Sequence, residues 1–171
     1  MRFHKLAGGL AVLGWATPVS AGLNVPIAAR VVSFVQPTHS GPVPAAILFV
    51  PGNEASEAEA EAIERATGSG IAAGRSTIRT RRVPIGSMGA LTGYQVAFVT
   101  TGLRGEQGDI SAAAARSSVL TISSDPICVQ SGHCVVGITT SPKVQITISR
   151  AAARAANIRF GSAFLMLVKE I

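Results

Sequence analysis

Three short stretches of this chain restrict it to few folds. Ala45-Ala-Ile-Leu-Phe-Val50, Tyr94-Gln-Val-Ala-Phe-Val-Thr100 and Val119-Leu-Thr-Ile-Ser123 are nearly continuous in apolar or small residues. A strand with one wet face alternates apolar and polar residues, whereas an unbroken run needs cover on both faces, as in a parallel sheet lying between helices. Helical patterns separate these runs. Residues 26–36 place Ile27, Val31, Phe34 and Val35 at helical spacing, with Asn24 as the cap and Pro26 in the first turn. Ser56-x-x-Glu59 reads as a capping box ahead of an Ala- and Glu-rich helix over residues 57–67, and Asp109 is positioned to cap a helix over residues 110–116. Residues 77–83 alternate as a strand does.

The final third has a different pattern. Residues 134–139 and 144–149 are β-rich and flank the polar turn Thr140-Ser-Pro-Lys143, which predicts an antiparallel hairpin. An Ala/Arg helix over 150–156 and a more apolar one over 162–169 follow. The expected fold is α/β: a single domain with a mixed, mostly parallel sheet, helices on both faces, and a C-terminal antiparallel β-hairpin followed by two helices.

The first 21 residues carry a different message. Arg2, His4 and Lys5 precede an apolar run from Leu6 to Ala16, and Thr17-Pro-Val-Ser-Ala21 ends in a small-x-small pattern. This is the layout of a cleavable signal peptide. An apolar run of eleven residues is too short to span a bilayer, which takes roughly twenty in a helix. The expected organisation is a signal peptide over residues 1–21 and one domain over 22–171 that works outside the cytoplasm. Loss of Arg2 and Lys5 with the leader lowers the formal charge from +6 to +4. The remaining basic residues are scattered apart from Arg79, Arg81 and Arg82, and no aromatic residues interleave with that group, so nucleic acid is not an expected partner. The three arginines are a candidate partner surface.

The raw material for catalysis is sparse. Past the leader the chain has two histidines, His39 and His133, and two aspartates, Asp109 and Asp125, whereas acid–base and nucleophilic mechanisms need such groups to converge. Gly86-Ser-Met-Gly89 has its second glycine one residue too early for a nucleophile elbow. Val50-Pro-Gly-Asn53 occupies the place of a phosphate loop, but it lacks the glycine pattern and is followed by Glu54, Glu57 and Glu59, which favour the helix start and repel phosphate. Neither an enzyme nor a cofactor is expected.

Cys128 and Cys134 are the only two cysteines. In an exported chain an even, closely spaced pair reads as a disulfide. The rival use as metal ligands, with His133 and Asp125, lacks the second ligand pair that a zinc site draws on, so no metal is expected. A further reading treats the chain as a small-ligand binder. Its crevice would lie at the carboxyl ends of the strands, near Gly52, residues 100–102 and residues 123–125.

Thr121-Ile-Ser-Ser-Asp125, a Gly-containing loop, Val135-Val-Gly-Ile138, Val144-Gln-Ile-Thr-Ile-Ser149, Ala151-Ala-Ala-Arg-Ala-Ala156 and Ile158-Arg-Phe-Gly-Ser162 follow one another in an order that resembles the C-terminal half of YfiR-like periplasmic proteins. Ser149 stands where that family usually has Asn, Ser131-Gly-His-Cys134 replaces Gly-Gly-Met, and the aromatic early helix ending in Trp-Pro is missing. The resemblance implies a non-enzymatic repressor. It would bind the periplasmic domain of an inner-membrane diguanylate cyclase and so lower cyclic di-GMP and biofilm formation. Release would be linked to redox state or to an outer-membrane lipoprotein. A homodimer is compatible with the resemblance, and the Cys128–Cys134 pair looks like a disulfide that some members carry.

Overall fold

The computed structural model describes residues 22–171, so the expected leader lies outside the described residues. Helix α1 (Val25–Val32) starts as the sequence predicts, with the Asn24 side chain accepting the Ile27 amide at 3.1 Å and a proline in the first turn. It stops short of residue 36, because Val35–Gln36 leaves the helix as strand β1.

Strand β2 (Gly41–Phe49) is longer than the apolar run and takes in Pro42 and Pro44, which the sequence pattern assigns to a loop. The pairing explains how the prolines are accommodated. β2 pairs with β4 (Ser76–Pro84) from Gly41 onward, but with β5 (Val96–Val99) only from Ala45. Over Gly41–Val43 that side of β2 is open, and at Pro44 only the carbonyl is used, accepting the Gln95 amide at 2.9 Å, so the missing N–H of neither proline disturbs a ladder.

Helix α2 (Glu54–Thr67) lies between β2 and β3 (Ile71–Ala73), and β3 folds back antiparallel on β4. The capping box is not formed. Asn53 caps α2 by accepting the Ser56 amide at 3.1 Å, and Ser56 lies buried within the first turn. A 3₁₀ segment (Ile85–Leu91) holds the Gly86–Gly89 stretch and leads to β5. Helix α3 (Gln107–Ser117) begins three residues earlier than predicted, so Asp109 sits in its first turn instead of capping it.

Strand β6 (Leu120–Ser123), helix α4 (Pro126–Gln130), β7 (Val136–Thr139) and β8 (Gln145–Ile148) follow, with β7 and β8 antiparallel as expected. Helix α5 (Arg150–Ala155) is capped by Ser149, whose hydroxyl accepts the Ala152 amide at 3.3 Å. A serine does here what an asparagine would also do at an N-cap. The last predicted helix is reduced to one turn, α6 (Ser162–Leu165), flanked by β9 (Arg159–Phe160), which pairs with β1, and β10 (Lys169–Glu170), which pairs with β8.

The main sheet runs β10-β8-β7-β6-β5-β2-β4-β3, and its pairs are parallel except β3–β4 and β7–β8. Alternate residues of β2 enter different cores. Ala45 and Ile47 join Phe98 and Ile122 beneath α1, α2 and α5, while Ala46 and Leu48 join Val99, Ile110 of α3 and the two cysteines on the other face. This two-sided burial is why the apolar run is unbroken. No helix among the described residues is long and apolar enough to cross a membrane.

Cys128 and Cys134 form a disulfide, with Cα atoms 5.1 Å apart and both side chains fully buried. It closes the passage from α4 to β7, where the amides of His133 and Cys134 both donate to the Cys128 carbonyl. Closing a loop of about seven residues limits the unfolded chain by about 2.4 kcal/mol. Replacing both cysteines with serine is expected to lower Tm by about 5–10 °C in thermal unfolding; a change under about 2 °C would show that the covalent link adds little to the packing of α4.

Candidate functional site

β2 and β5 are neighbours whose outgoing connections diverge. The chain leaving β2 passes through α2 toward β4, and the chain leaving β5 passes through α3 toward β6. The carboxyl ends of two such strands form a topological switch point, where open α/β sheets place their ligand crevices. A cavity of about 500 Å³ lies beside it, lined by Thr101, Gly102, Arg104 and Gly105 after β5 and by Ser124, Asp125 and Pro126 after β6. Residues 101–102 and 124–125 are where the sequence reading puts its crevice. Gly52 does not line this cavity, and Thr100 and Ser123 are buried behind it.

Each wall is held by side chains. Gly102 adopts φ +85°, and a Cβ there would meet the Asn53 side chain at 2.8 Å, so the loop after β5 can approach the α2 cap only with glycine. Ser56 and Thr100 share a hydrogen bond of 2.7 Å, and the Val50 amide donates to the Ser56 hydroxyl at 2.9 Å, which joins the ends of β2 and β5.

Below this lies Glu59, which is only 7% exposed. Its carboxylate accepts the Leu23 amide at 3.0 Å, the Ser124 hydroxyl at 2.7 Å and the Thr101 amide at 2.6 Å. One side chain of α2 thus fixes the segment before α1 and both loops of the cavity. The sequence spacing assigns Glu59 to a capping box, and the structure corrects this. The signal was present: Ser56, Glu59, Ala60, Ile63 and Thr67 form the buried stripe of α2 at helical spacing.

The second wall is organised by Asp125, also 7% exposed. It caps α4 by accepting the Ile127 amide at 3.0 Å, takes the buried Gln107 amide at 3.3 Å, and pairs with Arg104 at 3.1 Å. The hydrogen bond to Asp125 and then its charge raise the Arg104 pKa above its ordinary value. Arg104 is 70% exposed and lines the cavity. Arg104 and Gln107 belong to no motif, and sequence reasoning does not find them.

The arginine group divides in two. Arg82 turns to Glu64 at 2.9 Å and lies over the Phe49 ring at 5.9 Å. Arg79 and Arg81 are exposed on β4 and line a different cavity, of about 610 Å³, with Pro42, Pro44, Thr92 and Tyr94. Neither forms an ion pair among the described residues. The described residues also hold no group of three or more His, Cys, Asp or Glu side chains placed to bind a metal.

Removing the Asp125 carboxylate takes away a cap and strands the buried amide of Gln107, whereas removing Arg104 breaks one ion pair whose arginine is 70% exposed and leaves the carboxylate its Ile127 and Gln107 donors. Asp125→Ala is expected to cost about 2–3 kcal/mol in urea unfolding and Arg104→Ala under about 1 kcal/mol. Equal losses would mean that the ion pair, not the cap and the amide, carries the wall.

The family described as YfiR/HmsC-like matches residues 25–169. No curated protein matches the sequence. Several solved structures share the fold, three of which follow. A conserved domain protein from Vibrio cholerae O1 biovar El Tor strain N16961 has a TM-score of 0.64 at 10% identity, over 85% of this chain and 58% of that one. A domain from Streptococcus pneumonia, described as the ABC domain in complex with L-Trp, has a TM-score of 0.61 at 10% identity, over 83% of this chain and 58% of that one. CD0873, described as a substrate binding protein with adhesive properties from Clostridium difficile, has a TM-score of 0.57 at 9% identity, over 75% of this chain and 54% of that one. The chain therefore spans less than two thirds of each of these structures, and at such identities the likeness is one of fold.

Proposed function

Because the chain belongs to the YfiR/HmsC-like family, we propose that it is a periplasmic regulator that acts by binding, without catalysis, and represses an inner-membrane diguanylate cyclase through that enzyme's periplasmic domain. The observation that carries this reading is the family match, which runs from the first residue of α1 to the first residue of β10. The site chemistry supports it. Asp125 and Glu59 each accept hydrogen bonds from more than one segment and so hold the fold. Arg79 and Arg81 are the proposed contacts for the partner, as cations on an exposed strand.

The buried disulfide suits a clasp, since neither cysteine offers surface to a thiol in solution. An outer-membrane lipoprotein that relieves repression, and a dimer of this chain, are parts of the same proposal. Deleting the gene should raise cellular cyclic di-GMP, and tagged protein from the periplasm should bring down a membrane cyclase. Unchanged cyclic di-GMP together with no cyclase in the pull-down would overturn the reading.

The cavity beside the switch point favours a second reading, a periplasmic small-ligand-binding module, because its volume suits a small metabolite. Amino acids are the first class to screen, since the pneumococcal domain of the same fold is described in complex with L-Trp. A thermal shift of several degrees that is lost in Arg104→Ala supports this reading; no shift across the screen removes it.

A further inference from the structure

Two carboxylates are buried among the described residues, and they differ in one respect. Asp125 has a cation, Arg104, whereas Glu59 takes part in no ion pair among the described residues. A buried carboxylate is costly without a countercharge, even when amides and a hydroxyl bind it. The chain segment that lies against Glu59 is its first described one. The Leu23 amide donates to Oε1, and a Cβ built on Gly22 would lie 3.8 Å from Glu59 Cγ and 3.9 Å from Oε1. The Gly22 nitrogen is one bond from that Cα.

The leader reading puts the cut between Ala21 and Gly22. Hydrolysis there by an export-linked peptidase adds one water across the amide, leaves a carboxylate on Ala21, and turns the Gly22 nitrogen into an α-amine. That amine is largely protonated at neutral pH and carries three donors. We propose that Glu59 is the binding site for this new α-ammonium, and that removal of the leader completes the floor of the crevice. The same carboxylate holds Thr101 and Ser124, which line the cavity, so the ion pair ties the start of the processed chain to the cavity wall. Before the cut, the Gly22 nitrogen is an uncharged amide and the carboxylate lacks this partner. Gly22 has no side chain to obstruct the approach. The proposal rests on the leader reading and is independent of which partner the protein binds.

The test uses protein exported and purified from the periplasm, with its first residue fixed by mass spectrometry. A second form carries one alanine inserted between Ala21 and Gly22, so that the same cut leaves the amine one residue further out with Glu59 intact. Each form is also made with Glu59→Gln. Acylation of the α-amine by a succinimidyl ester is followed by peptide mass, and Tm by circular dichroism. The Gly22 amine should react several-fold more slowly than that of the inserted alanine, and Glu59→Gln should abolish the difference. The extended form should melt about 2–4 °C lower, again only when Glu59 is present. If Glu59→Gln fails to fold, the two Glu59 forms decide alone. Equal reactivity and equal Tm between them, or an exported chain that begins at a residue other than Gly22, would overturn the proposal.

Discussion

The structure depends on a strand that is allowed no wet face. β2 sends Ala45 and Ile47 into one core and Ala46 and Leu48 into the other, and β5 beside it is buried throughout. Burying both faces stabilises the sheet by roughly 25 cal/mol per Å² of apolar surface removed from water, and it requires a helical layer on each side. With helices on both faces, the connections after β2 and β5 must diverge. Their carboxyl ends are left as a cleft, closed by side chains from the loops after the strands and from the first turns of the helices. Asn53, Ser56, Glu59 and Asp125 do so, and each is occupied with backbone amides or a neighbour's polar group. Every buried side-chain polar atom among the described residues has a partner. The polar end of the fold is therefore tied together by hydrogen bonds between its loops and helix starts.

Behind the cleft, the connection from β6 to β7 is stapled twice. The disulfide joins α4 to the start of β7, and Gly137 of β7 lets Val129 of α4 pack against the strand, since a Cβ there would meet Val129 Cγ1 at 2.5 Å. Asp125 caps the same helix and reaches across to Gln107 of α3. This arrangement holds one wall of the cavity in place through a covalent link and hydrogen bonds.

The parts of this fold readable from sequence are those where burial writes a periodic pattern. The three covered strands, the β7–β8 hairpin and α1, α2 and α5 are legible because each repeats its signal over several residues. β1, β9 and β10 have two residues each, too few for any period, and are specified by partners far away in the chain. The residues before β10 read as helix because Leu165, Met166, Leu167 and Val168 are apolar, yet Met166 and Leu167 are mostly exposed and the helix stops after one turn. Ser56 and Glu59 show a different limit. Their spacing fits a capping box, but Asn53 reaches the first free amide, and the buried stripe of α2 then turns both side chains inward. Asp125 is visible as a motif residue, whereas the roles of Arg104 and Gln107 arise only when the loop after β5 folds over it.

Central to this account is that one carboxylate, Glu59, holds the cleft together. Native-state hydrogen exchange reads this directly, comparing Glu59 with the near-isosteric Glu59→Gln. The Leu23 and Thr101 amides lie outside regular strands and owe their protection to that carboxylate. The account predicts that both exchange at least about tenfold faster in Glu59→Gln, a loss of about 1.4 kcal/mol of local stability, while Ile47 and Phe98 in the central strands keep their protection. Unchanged exchange at Leu23 and Thr101, or an equal loss at all four amides, would contradict it.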